Sequence, residues 1–170
     1  LAYFFGTATS GIMLFWAGKV CDRIGSRRLV VAANVALGLS MLYMSCVDWL
    51  PRFAAKVLGL DSPTSPMLVA SLSVGFWMLR FSGQGFVTMA GRNMVAKWWR
   101  YHRGKVLPIS GIGVSVCFSL SPLVFYELIQ ATDWRVAWRI LGLCSGIGVA
   151  LYAWFVYRDN PEECDLSIDA

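Results

Sequence analysis

The sequence predicts an all-α integral membrane protein with about five transmembrane helices. Three observations lead there. Of 170 residues, 57% are hydrophobic and 15% are charged, against about a quarter charged in soluble domains. The apolar residues lie in continuous runs, and a helix needs roughly 20 such residues to cross a bilayer. Between the runs, loops rich in Lys and Arg alternate with loops poor in them, the pattern expected when basic residues stay on the cytoplasmic side.

The first run covers about residues 1–17 and is followed by a short basic loop, residues 18–28. The second covers about 29–47. A longer link, 48–66, carries Pro51, Pro63 and Pro66, and its part from Phe53 to Leu60 reads as a short amphipathic turn. The third run spans about 67–90 and leads into a basic, aromatic loop around Lys97 to Lys105. The fourth spans about 106–129 and the fifth about 136–157. Residues 158–170 read as a polar cytoplasmic tail or linker. Strands of a membrane barrel alternate over about ten residues, and these runs are longer and unbroken. The chain opens inside an apolar run without an initiator Met or a basic leader, so it reads as an internal piece of a longer protein.

Charge sets an expected orientation. Lys19, Arg23, Arg27, Arg28, Lys97, Arg100, Arg103 and Lys105 lie in the first and third loops, and Arg52, Lys56, Arg135 and Arg139 lie in or beside the second and fourth. Eight against four places the first and third loops in the cytoplasm. The net charge of +5 is thereby read as topology, with no nucleic-acid partner. Five cysteines stand singly with no CxxC pair, which argues against a metal or disulfide framework. The single histidine, His102, lies in a basic loop, and no P-loop, GxGxxG or HExxH is present, so neither catalysis nor a cofactor or metal is expected.

Two segments carry the functional reading. In the first loop, Gly18 permits close helix approach and Gly25 supplies a permissive turn. Asp22 can accept from helix-end amides or pair with an arginine, and Arg23, Arg27 and Arg28 hold the loop at the inner face. In the third run, Arg80 lies well inside an apolar span, where a charge costs about 2.5–3.5 kcal/mol on insertion scales. With spacings of three or four residues, Ser73, Trp77, Arg80, Gln84 and Thr88 share one face of a helix. That face should look into the bundle or a water-filled cavity.

The run GxxxDRxGxRR from Gly18 to Arg28, set between two apolar spans, resembles the loop between the second and third helices of the major facilitator superfamily. RxxGQG from Arg80 to Gly85 resembles a fourth-helix motif of the same superfamily. Asn93 to Trp99 with Arg103-Gly104 is similar to its following loop, closest in character to the branch of monocarboxylate and oxalate–formate carriers. Asp133-Trp134-Arg135 resembles the element before its sixth helix, and Tyr157 to Glu163 the stretch after it. The resemblance implies helices two to six of an incomplete N-terminal six-helix bundle. It implies a secondary transporter, symport or antiport, working by alternating access. Its first helix and C-terminal half lie elsewhere in the same protein, in a plasma or bacterial inner membrane. Small organic anions such as monocarboxylates are the candidate substrates and protons the candidate coupling ion. A non-transporting sensor or assembly protein with the same fold is the alternative.

Arg80, Gln84, Thr88 and Trp77 are the substrate or coupling candidates. Arg80 has two readings: a grip on an anionic substrate, or a clamp on backbone carbonyls of a neighbouring span. Glu127, near the outer end of the fourth run, is either a titrating group or a solvated interfacial carboxylate. Gly111 and Ser115 in the fourth run, with Gly142 and Gly146 in the fifth, have the spacing of small residues that let membrane helices pack closely.

Overall fold

A computed structural model describes the backbone of residues 2–99 and 102–158, and the side chains within those ranges apart from residues 14–24. Helices in chain order are α1 (Ala2–Ile24), α2 (Ser26–Ser45), α3 (Trp49–Val57), α4 (Ser65–Leu79), α5 (Thr88–Trp98), α6 (Arg103–Ala131), α7 (Trp134–Leu143) and α8 (Ala150–Val156). A π-helical segment, Arg80–Val87, joins α4 to α5, and a second, Cys144–Val149, joins α7 to α8. There are thus five long helical rods, two of them interrupted by π-helix, plus the short α3. No strand occurs among the described residues. By length and apolarity, Ser26–Ser45, Arg103–Ala131 and Trp134–Val156 are long enough to cross a membrane.

Two loops differ from their sequence reading. The short loop read over 18–28 is mostly helical: α1 runs to Ile24 and α2 starts at Ser26, so the tight turn is confined to Gly25. Its φ of 85° lies in the left-handed region open to glycine. The link after α2 is partly helical, with α3 carrying Pro51 in its first turn, where a missing N–H costs nothing. Its end is a Schellman cap: Leu60 N–H donates to Ala55 O at 2.9 Å, Gly59 N–H donates to Lys56 O at 3.3 Å, and Gly59 has φ 69°.

α2 is the centre of the assembly. It packs on α4, the first π segment and α5 on one side, and on α7, the second π segment and α8 on the other. The buried set is small-sided: Ala33, Ala55, Ala90, Ala137, Ala150 and Ala153 alongside Leu29, Val30 and Met44. Lipid tails are as apolar as leucine, so membrane helices gain from close backbone approach and little from hydrophobic segregation. Several buried polar side chains are answered by their own helices, while Ser71 on α4 donates to Val47 O at 2.7 Å, beyond the end of α2. Ser40 donates to Ala36 O at 2.7 Å, Ser82 to Met78 O at 2.6 Å and Asn34 Nδ2 to Val30 O at 2.9 Å.

The tightest crossing is between glycines. A Cβ placed on Gly38 would lie 2.6 Å from both Gly142 O and Gly146 Cα, and one on Gly146 would lie 3.2 Å from Gly38 Cα. Backbone therefore touches backbone where α2 meets α7 and the second π segment. Gly111 differs: a Cβ there meets nothing within 4 Å, and no residue of α6 is buried. Gly111 and Ser115 have no packing partner among the described residues. α6 continues unbroken through Pro108 and Pro122. Its exposed face carries Ile109, Ile112, Phe118 and Leu123.

Candidate functional site

The π segment begins at Arg80, and this changes which residues share a face. Its i→i+5 hydrogen bonding widens the turn, and the side chains follow: the Phe81 and Phe86 rings meet at 4.8 Å, and Thr88 Oγ1 donates to Gly83 O, five residues back, at 3.3 Å. The stripe expected from Ser73 to Thr88 passes from α4 into the π segment at Arg80. Trp77 and Arg80 are partly buried, whereas Gln84 and Thr88 are exposed. Glycines at 83 and 85 lower the cost of the irregular backbone. π segments recur at functional sites.

α1 closes over this region. A Cβ on Gly6 would lie 2.8 Å from Trp77 N and 2.9 Å from Ser73 O, so α1 and α4 approach to backbone contact. One turn earlier, the Tyr3 ring meets Phe76 edge-on at 5.6 Å. Arg80 donates through Nη2 to Tyr3 Oη, and its guanidinium carbon lies 4.9 Å from the Tyr3 ring centroid. Arg80 Nε is buried without an acceptor. Trp77 Nε1, one turn back on α4, and Thr7 Oγ1, one turn on from Tyr3, are also buried without partners. A groove of about 210 Å³ between the two helices is lined by Phe5, Gly6, Thr9, Ser73, Val74 and Trp77. The larger concavity, about 580 Å³, is lined by α6 alone, from Pro108 to Leu120. No second element closes it, so it is an open helix face rather than a binding cavity.

Backbone-carbonyl clamps exist, but other arginines make them. At the Gly25 end, Arg27 donates through Nε to Trp154 O at 2.9 Å and also through Nη2, with its guanidinium 4.6 Å from the Trp154 ring centroid. That carbonyl lies in the last turn of α8, where backbone acceptors lack intrahelical donors and a cation is favoured. At the other end, Arg135 donates to Ser45 O at 3.0 Å and forks onto Asp48, 2.8 Å to Oδ1 and 3.1 Å to Oδ2. Asp48 also meets Arg52 at 2.9 Å. The Arg135 hydrogen bonds hold the Asp48 carboxyl below its ordinary value. Asp133 caps α7 by accepting from Arg135 N–H at 3.1 Å.

Of the loop residues singled out in the sequence, Gly25 forms the turn, Arg27 makes the clamp and Arg28 is exposed. The side chains of Gly18, Asp22 and Arg23 lie outside the described residues, although their backbone is helical. Glu127 is exposed on α6. Sequence reasoning missed Tyr3, Thr7, Gly38 and Asp48. Only Asp48 carried a local signal, as an acidic residue directly after an apolar run. Among the described residues no group of His, Cys, Asp and Glu could hold a metal ion.

Long apolar helices, small residues at their crossings and arginines bonded within the bundle define an all-α membrane protein. The chain belongs to the major facilitator superfamily, whose profile matches residues 1–165. The riboflavin transporter RibJ of Trypanosoma brucei brucei is similar to it, with 24% identity over 148 residues, covering 80% of this chain. The chain spans 27% of that relative's length. No solved structure matches.

Proposed function

We propose that this chain supplies helices two to six of a secondary transporter that moves a small organic anion across a plasma or bacterial inner membrane, coupled to protons. A first helix and a second six-helix half of the same protein complete the pathway, and alternating access is the mode of movement. Membership of the superfamily and the similarity to a named transporter support the transport reading. The likeness to the monocarboxylate and oxalate–formate branch rests on the Arg80 to Gly85 and Asn93 to Gly104 motifs alone. Gln84 and Thr88 remain coupling candidates on the exposed side of the same rod.

One observation carries the anionic reading: Arg80 keeps a buried Nε without an acceptor and donates through Nη2 to Tyr3 Oη rather than to a backbone carbonyl. A guanidinium in a span must find acceptors. Arg80 Nε and Trp77 Nε1, both donors, with the Thr7 hydroxyl suit a ligand rich in acceptors, such as a carboxylate.

The test uses the full-length protein in proteoliposomes with an imposed pH gradient. Uptake of lactate and oxalate is measured beside riboflavin. Carboxylate uptake above empty vesicles is expected. Arg80→Lys should raise its KM about tenfold, the loss of one charge-assisted hydrogen bond worth about 1.5 kcal/mol, with melting temperature unchanged. Transport of riboflavin without carboxylates overturns the substrate class. A fall in melting temperature with KM intact overturns the role of Arg80.

A further inference from the structure

α3 has an apolar face turned away from the protein. Pro51 and Ala55 point inward and are buried, and α3 packs on α4. Trp49, Phe53 and Val57 recur every four residues on the outer side and are 66%, 56% and 69% exposed. The Trp49 and Phe53 rings stack at 5.8 Å with 19° between their planes. Leu50, Leu58 and Leu60 widen the patch. Arg52 and Lys56, also four apart and exposed, form a basic strip along one border of it.

We propose that α3 is an interfacial helix that lies in the headgroup region of the bilayer the bundle spans, its Trp49–Phe53–Val57 face in the acyl boundary and Arg52 and Lys56 on lipid phosphates. Three features select lipid as the occupant. α3 begins four residues after the end of α2 and its chain returns directly to α4, so it is tethered where a membrane-crossing helix leaves the apolar layer. Exposed apolar side chains also stand on the two rods it joins, Val35 and Leu39 on α2 and Leu68 and Val69 on α4. The basic strip beside an aromatic-led apolar stripe has the polarity of a helix lying at the membrane surface, and tryptophan is enriched at that depth. Such helices bury their apolar face roughly 5–10 Å below the headgroups.

The experiment places single nitroxide labels at Phe53→Cys and Val57→Cys in the full-length protein with native cysteines replaced, reconstituted in phospholipid vesicles. Asp61→Cys, in the exposed turn after α3, serves as the aqueous reference. Collision with oxygen, which concentrates in lipid, is compared with collision with a water-soluble nickel chelate. Labels 53 and 57 should favour oxygen and label 61 the chelate. With labels at 53 and 57, Lys56→Gln should shift the balance toward the chelate. Chelate access at 53 and 57 equal to that at 61 overturns the proposal. So does protection from both quenchers, which means that protein covers the patch. Two label positions, each on an exposed side chain, keep the test valid if one variant folds poorly.

Discussion

Arg27, in the first turn of α2, reaches the backbone carbonyl of Trp154 in the last turn of α8, 127 residues away. Arg135 ties the same two rods at their opposite ends, through Ser45 O and Asp48. Between the clamps, Gly38 rests on Gly142 and Gly146. Two cationic end contacts with a glycine crossing between them hold α2 to the rod formed by α7 and α8.

The crossing sets the first prediction. Gly38→Ala should destabilise the full-length protein, because its Cβ would meet the Gly142 carbonyl and Gly146 Cα at 2.6 Å and backbone cannot swing aside. Overpacking costs about 1–3 kcal/mol, and helix propensity returns up to about 1 kcal/mol. Gly83→Ala meets only the methyls of Leu37, Cδ1 at 3.3 Å and Cδ2 at 3.8 Å, a side-chain end that can rotate. Thermal unfolding in detergent should rank Gly38→Ala well below Gly83→Ala; equal melting temperatures would remove the crossing as a determinant of stability.

The Arg27 clamp gives the second. Arg27→Gln keeps a donor but loses the charge facing the α8 terminus and the contact with the Trp154 ring. Hydrogen bonds from charged groups are worth about 1.5–3 kcal/mol net, and less where solvent reaches them. A loss of about 1 kcal/mol is expected, with Arg27→Lys retaining part of it. Faster hydrogen exchange of the α8 amides, α2 unchanged, is the signature to look for. Unaltered exchange in α8 would mean that the clamp holds nothing.

Acid should release the other clamp. Arg135 lowers the Asp48 carboxyl in the fold, so the unfolded chain binds a proton at higher pH than the folded one. The stabilisation is fully present above the unfolded value, about 3.9, and is lost as pH falls through the lower folded value. Melting temperature measured from pH 6 downward should therefore drop below about pH 4. Asp48→Asn should flatten that drop. A variant with the same acid profile as the parent would assign the effect to another carboxylate.

Orientation is open to direct chemistry. The Lys and Arg distribution predicts that the Gly25 end of the bundle faces the cytoplasm. His102→Cys at that end and Ser62→Cys at the other are both exposed positions. In sealed cells expressing the full-length protein without native cysteines, an impermeant thiol reagent should modify Ser62→Cys alone. Modification of His102→Cys instead would invert the assignment.

The sequence by itself determined the all-α membrane class and the family resemblance. Apolar run length and the position of basic residues are local properties, and the bilayer leaves helices as the way to bond such backbone. Gly25 was legible as a turn because a tight reversal demands a left-handed residue. Only the tertiary structure decided which arginine does what. Arg27, Arg80 and Arg135 are alike in one dimension, yet their partners lie 127, 77 and 87 residues away. It likewise decided that the residues from Trp77 to Thr88 cross a π-helical segment that begins at Arg80, a backbone form with no period in the sequence. Gly142 and Gly146 show the same division. Their spacing is visible locally, but their contact exists only because Gly38, more than a hundred residues earlier, presents bare backbone at the same height in the bundle.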